Sequence, residues 1–192
     1  MSGTAEVHPS ATLVPTKLEL LAQWLPKQLW FAGDASDLER VGAFRFADPD
    51  DEVGLDCMFI TSAGFTYHVP VTWRAEPLEE GLLIGKLEHS ELGTRYCYDA
   101  PTDPVYVSEL VRVIREGDTA AEIKDAETGE LKPQAVEVEG SGVVAGVDAI
   151  GQVRLIRILD EAHENTTGAR GLLIARWSLE GVERENILAV LR

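Results

Sequence analysis

The chain has 192 residues, 45% of them hydrophobic and 26% charged, so it fits one folded domain, or one with a small appendage, and not a disordered chain. Its 33 acidic and 17 basic residues leave a net charge of −16. That charge repels phosphate backbones and anionic lipid, so neither nucleic acid nor a membrane is an expected partner, and no apolar run approaches the ~20 residues of a bilayer span.

Met1 to Pro15 lacks the basic and continuous apolar regions of an export signal and reads as a flexible polar tail. The two cysteines, Cys57 and Cys97, sit in apolar strand-like runs without metal-ligand spacing. They read as buried small residues, and the absence of an export signal predicts a cytoplasmic protein with reduced thiols.

Thr16-Lys17-Leu18-Glu19 has the form of a capping box, and Leu18, Leu21, Ala22 and Leu25 then fall on one helical face. Pro26 ends or kinks that helix. Within Trp24 to Gly33 lie two of the four tryptophans and a phenylalanine, a cluster that is either a core anchor or a binding edge.

Val41 to Phe46 and Leu55 to Thr61 read as strands around an acidic turn. Ser62-Ala63-Gly64 then leads into Phe65 to Trp73, where apolar and polar residues alternate and His68 falls on the polar face. Pro70 cannot donate to a ladder and marks an edge or a bulge. Leu82 to Leu87 and Arg95 to Tyr98 are two further strands. Asp103 and Pro104 open a second helix with Val107, Leu110, Val111 and Ile114 on one face, and Gly117 stops it.

Glu122 to Pro133 is polar, with a turn at Thr128-Gly129. Strands follow at Val136 to Val138 and Val143 to Val147, and Val153 to Leu159 is expected to pair with Leu172 to Leu179 as a hairpin; Ile187 to Leu191 is a last short apolar piece. Short connections predict a largely antiparallel sheet. The fold class is therefore α+β: a curved sheet with two main helices on one face, followed by a second strand-rich segment. The expected organisation is a tail over 1–15, a domain over 16–118 and a C-terminal extension over 119–192 packed on it.

No P-loop, GxGxxG, HExxH or GxSxG occurs. The acidic turn at Asp48 to Glu52 lacks the spacing of a calcium loop, and no metal or cofactor is implied. His89 lies in a loop ahead of Asp99 and Asp103 and, with Arg95 and Tyr96, is the one cluster that fits acid/base chemistry. Glu88, His89 and Ser90 do not form a triad, because neighbouring side chains in an extended segment point apart.

The run Trp24-Leu25-Pro26-Lys27-Gln28-Leu29-Trp30-Phe31-Ala32-Gly33 resembles the WLPxQRWFAGK opening of bacterial maltokinases. The order Tyr67-His68-Val69-Pro70-Val71, Pro77-Leu78, Leu83-Ile84-Gly85 and Tyr98-Asp99-Ala100 is similar too, so the resemblance covers roughly residues 18 to 117. It implies the N-terminal cap domain of those kinases, a curved antiparallel sheet with helices of cystatin-like form. The kinase lobe itself, with its H-x-D-x-x-x-x-N loop, does not fit after Gly117, and no His-x-Asp occurs. The expectation is a free-standing, non-catalytic binding or regulatory module tied to α-glucan or trehalose metabolism. Its partner would be a protein, an α-glucan or a disaccharide, met by Trp24, Trp30 and Phe31. The alternatives are a small enzyme with a site at His89, Arg95, Tyr96 and Asp99, and a homodimer through a sheet edge near Pro70.

Overall fold

A computed structural model describes residues 3–143, 152–159 and 166–192. In chain order the elements are β1 (Thr4–Val7), β2 (Leu13–Val14), α1 (Lys17–Trp24), β3 (Glu39–Phe46), β4 (Gly54–Ser62), β5 (Phe65–Arg74), β6 (Leu83–His89), β7 (Gly93–Asp99), α2 (Pro104–Glu116), β8 (Glu122–Asp125), β9 (Leu131–Lys132), β10 (Val136–Gly140), β11 (Val153–Leu155), β12 (Gly171–Leu179) and β13 (Val182–Leu191). The class is α+β. Its centre is a strongly curled antiparallel sheet in the order β2-β6-β7-β5-β4-β3.

Local sequence dictates much of this. The capping box forms as expected: Glu19 N–H donates to Thr16 Oγ1 (3.2 Å), and Thr16 N–H donates to Glu19 Oε2 (2.8 Å). Ala63 and Gly64 both have positive φ (50° and 83°), the backbone of a two-residue hairpin turn, and they join β4 to β5. Asp103 caps α2 by accepting from Val105 N–H (3.0 Å), and Gly117 ends it in the left-handed region at φ 64°.

Both faces of the curled sheet are covered, so the expectation of two helices on one face is corrected. Along β4, Met58 and Ile60 pack with Leu20, Leu21, Trp24 and Leu25 of the α1 region. Leu55, Cys57 and Phe59 point the other way and pack with Tyr106, Leu110, Val113 and Ile114 of α2. The face of α2 that is buried is rotated from the expected one: Tyr106 and Val113 are inside, whereas Val107 and Val111 are half-buried. Each large side chain of that stripe contributes roughly 1.5–3 kcal/mol.

The second sheet, β10-β12-β13-β11, completes the α2-side core. Its Trp177 meets Phe59 of the first sheet at 4.9 Å between ring centroids. The expected pairing of Val153 to Leu159 with Leu172 to Leu179 is not formed. Instead β12 pairs with β13 through a turn at Glu180-Gly181, both at positive φ (51° and 79°), and β11 lies on the far side of β13. The strand expected at Val143 to Val147 runs outside the described residues from 144 onward.

Three further expectations change. The tail is paired: β1 runs parallel to β8, which forms a hairpin with β9, and β2 joins β6. His68 is fully buried, stacked on Phe44 at 6.1 Å, because the second layer covers the side of β5 that its alternation marks as polar. The sheet edge at Pro70 is occupied. β7 pairs with β5 only over Val71 to Arg74; beyond Pro70, His68 N–H donates to Arg157 O (2.8 Å) and Leu159 N–H to Thr66 O (2.9 Å). Pro70 thus stands where β5 changes neighbours, at the one step where a missing donor costs nothing.

Candidate functional site

Sheet register places one row of side chains on the α1 face. Leu87 lies opposite Arg95, Cys97 opposite Trp73, Gly54 opposite Trp73, and Asp56 opposite Arg45. Side chains two residues apart share a face, so Leu87, Arg95, Trp73, Asp56 and Arg45 form one continuous floor. At its far end His89 closes β6. Leu20 of α1 rests on Gly85, where a Cβ would lie 2.5 Å from Leu20 Cδ1; glycine lets α1 sit close enough to bring Lys17 over this floor.

The N-terminal strands wall the floor in. Arg45 NH1 donates to Glu6 O (2.9 Å), and the His8 ring is paired with Glu91 (2.7 Å) and edge-on to His89 at 5.5 Å between centroids. Ser90 and Thr12 exchange two hydrogen bonds of 3.0 Å. The result is a cleft of about 1180 Å³ between the strap, the start of α1, β3 and the Trp73 floor.

Its charge is held by a buried group. Asp56 is only 3% exposed and takes an ion pair from Lys17, one from Arg45 Nε (3.2 Å) and a hydrogen bond from Trp73 Nε1 (3.4 Å). Burial alone would raise its pKa, but Lys17 and Arg45 outweigh that and hold the carboxyl far below the usual range. Burial lowers the pKa of Lys17, against the opposing pull of Asp56, and its ammonium lies 5.1 Å from the Trp73 ring centre. His89 is pushed down by burial and by His8.

A second group of side chains lies at the opposite end of α1. Trp24 is buried at 8% exposure and meets Trp30 at 5.9 Å, Trp30 meets Tyr67 at 6.1 Å, and Phe31 meets Tyr67 at 4.9 Å. Arg157 lies over Trp30 at 4.9 Å and donates to both Asp99 oxygens (2.6 and 2.8 Å). Trp30 and Phe31 are half-buried, Leu29 between Gln28 and Trp30 is fully exposed, and Phe65 at the β5 end is 41% exposed. Together they make an apolar rim.

The structure therefore separates the residues singled out from sequence. Trp30, Phe31 and, through Arg157, Asp99 meet at the rim; Trp24 backs them from the core. His89 and Arg95 line the cleft. Tyr96 is on the other face of β7, under the Lys86 ammonium at 4.7 Å. His89 sits opposite Gly93, six residues from Asp99, which along a strand is about 20 Å. Its Nδ1 accepts from Glu91 and Leu92 N–H (both 3.2 Å), a role inside its own turn. The acid/base cluster expected of His89 and Asp99 is not assembled.

Lys17, Arg45, Asp56, Trp73 and Arg157 went unnoticed in the sequence. One signal was there: Asp56 interrupts an otherwise apolar run, and a carboxylate inside such a run needs a buried partner. Among the described residues no group of three or more His, Cys, Asp or Glu side chains is arranged to hold a metal, and no helix is long and apolar enough to cross a membrane.

No solved structure matches the chain. Residues 24–103, from the last residue of α1 to the cap of α2, match the family model of the maltokinase N-terminal cap domain. That segment holds β3 to β7 and the whole aromatic rim from Trp24 to Phe65, and over it the chain is similar to the maltokinase N-terminal cap domain.

Proposed function

We propose that the chain is a non-catalytic binding module of trehalose or α-glucan metabolism that docks a partner protein through Leu29, Trp30, Phe31 and Phe65. The observation that carries the reading is the family match over residues 24–103 combined with the placement of exposed apolar groups inside that stretch. Leu29 projects fully into solvent from a short segment pinned on both sides. Gln28 Nε2 donates to Trp24 O (3.2 Å), and Ala32 N–H donates to Tyr67 Oη (3.2 Å). Such a segment loses little freedom on binding, which is what makes an aromatic anchor effective at an interface.

A saccharide platform is the weaker reading of the same residues. Sugars stack on an open ring face, and here Arg157 covers Trp30 while Tyr67 tilts at 45° against Phe31. The test is affinity capture from cell extract with the chain and with Leu29→Asp and Val182→Asp, two exposed sites on different surfaces. A partner lost in Leu29→Asp and kept in Val182→Asp supports the proposal. Equal capture by all three overturns it, as does specific binding of maltose, trehalose or glycogen that needs Trp30 in the absence of any protein partner.

A further inference from the structure

We propose that His89 is an acid-sensitive latch on the N-terminal strap: proton uptake at its Nδ1 breaks the turn at residues 89–92, frees residues 8–14 from that turn and opens this end of the cleft. His89 Nδ1 accepts the backbone N–H groups of Glu91 and Leu92 (3.2 Å each). In a neutral imidazole one nitrogen carries the proton and the other accepts, so both bonds exist only while Nδ1 is bare. A proton placed there points an N–H at two N–H donors, and the turn has to move.

The strap is fastened to that same turn. Ser90 N–H donates to Thr12 O and Thr12 N–H to Ser90 Oγ (3.0 Å each), and Glu91 holds the His8 ring at 2.7 Å. Leu13 and Val14 pair with His89 and Glu88. No histidine holds the strap's other anchor: Ser10 N–H and Oγ donate to Glu127 (3.3 and 3.0 Å), Ala126 N–H donates to Val7 O (2.9 Å), and β1 runs along β8. Loss of the turn therefore lifts the strap at one end only, and His8, Ala11 and Leu13, which line the cleft, move away as a flap.

The surroundings oppose the proton while the strap is docked. Burial disfavours charge on the half-buried ring, His8 of the strap stands edge-on to it at 5.5 Å, and Arg95 of β7 and Lys17 of α1 add positive charge. Glu91 alone attracts it, and that carboxylate is already held by His8. The docked ring is thus kept below its ordinary 6.5, burial being the largest cause. A freed turn returns it to that value, so the undocked form binds the proton better, and docking weakens as pH falls below about 6.5. The latch lies at the opposite end of α1 from the docking rim and does not depend on it.

The experiment is residue-resolved amide hydrogen exchange by nuclear magnetic resonance on the full chain and on His89→Asn, at pH 7 and pH 5, with rates corrected for the intrinsic effect of pH. Asn Oδ1 accepts N–H groups two and three residues on, as Nδ1 does, and does not titrate. Protection at Thr12 and Ser90 should fall several-fold at pH 5 in the unsubstituted chain, with a ceiling of roughly 25-fold set by a histidine of ordinary pKa. Ala126, at the other anchor, should keep its protection, and in His89→Asn all three amides should keep theirs. The ring resonance of His89 in the unsubstituted chain should titrate in step with the loss at Ser90, which tests the latch even where the variant does not fold. Unchanged protection at Thr12 and Ser90 would sink the proposal, as would an equal fall at Ala126, an equal fall in His89→Asn, or a ring that titrates while both amides stay protected. Leu29→Asp should keep the full response, so failure here and failure of partner docking are told apart.

Discussion

His68 offers a direct measure of how completely the second layer seals the curled sheet. The ring is fully buried between Phe44 and Phe59, with Nδ1 3.1 Å from Ile156 O. Burial, reinforced by the Arg157 charge, pushes its pKa down to about 3 from an ordinary 6.5. A lowered folded pKa means that below about pH 6.5 the unfolded chain takes up a proton that the folded one refuses. The folded state therefore loses stability as pH falls from about 6.5 towards 3. Each pH unit in that window costs about 1.4 kcal/mol, so going from pH 7 to pH 5 removes about 2 kcal/mol through this residue. The assay is urea unfolding followed by tryptophan fluorescence at pH 7 and pH 5, on the chain and on His68→Gln, which cannot titrate. The difference between pH 7 and pH 5 should be about 2 kcal/mol smaller in the variant. Because the variant also disturbs the stack on Phe44, the ring C–H resonance of His68 in the unsubstituted chain is followed as well; it should not move above pH 4. An equal pH dependence in both proteins, together with a ring that titrates near 6.5, would show that water reaches the site and that the two layers do not seal as described.

Two other carboxylates anchor elements to the sheet. Asp56→Ala leaves Lys17 and Arg45 beside a buried void and should cost about 3–5 kcal/mol, the toll of breaking a buried pair, read by urea unfolding at pH 7. In the unsubstituted chain the depressed pKa of Asp56 makes its contribution fully present above about pH 4 and lost as pH falls below that. Asp103→Ala removes the cap of α2 and strands Arg74, whose Nε and NH2 both donate to the carboxylate at 2.7 Å. A loss of about 2–4 kcal/mol is expected in the same assay, well beyond the ~1 kcal/mol of a simple cap, and a loss of ~1 kcal/mol or less would show that the Arg74 pair contributes nothing.

The candidate site was legible only in pieces. The aromatic run at Trp24 to Phe31 advertised itself by composition, and the structure divides it into a buried member and two half-buried ones beside an exposed leucine. His89 and Asp99 looked close because ten residues separate them in the chain, but a strand keeps its two ends apart. The cleft could not be read at all. Lys17, Arg45, Asp56 and Trp73 come from four different elements, and each looks ordinary in its own neighbourhood.

Local chemistry alone determined the caps of both helices and the β4–β5 hairpin, since each rests on residues within a few positions of one another; the antiparallel character of the sheet followed from short connections, and the likeness to a cap domain from the order of motifs along the chain. Tertiary structure decided which faces are buried. Alternation along β5 names two sides but not what covers them, and only the arrival of α2 and the β10–β13 layer turns His68 inward. The same holds for the strap: nothing within residues 4–14 demands order, and pairing with β8 and β6, far away in the chain, supplies it.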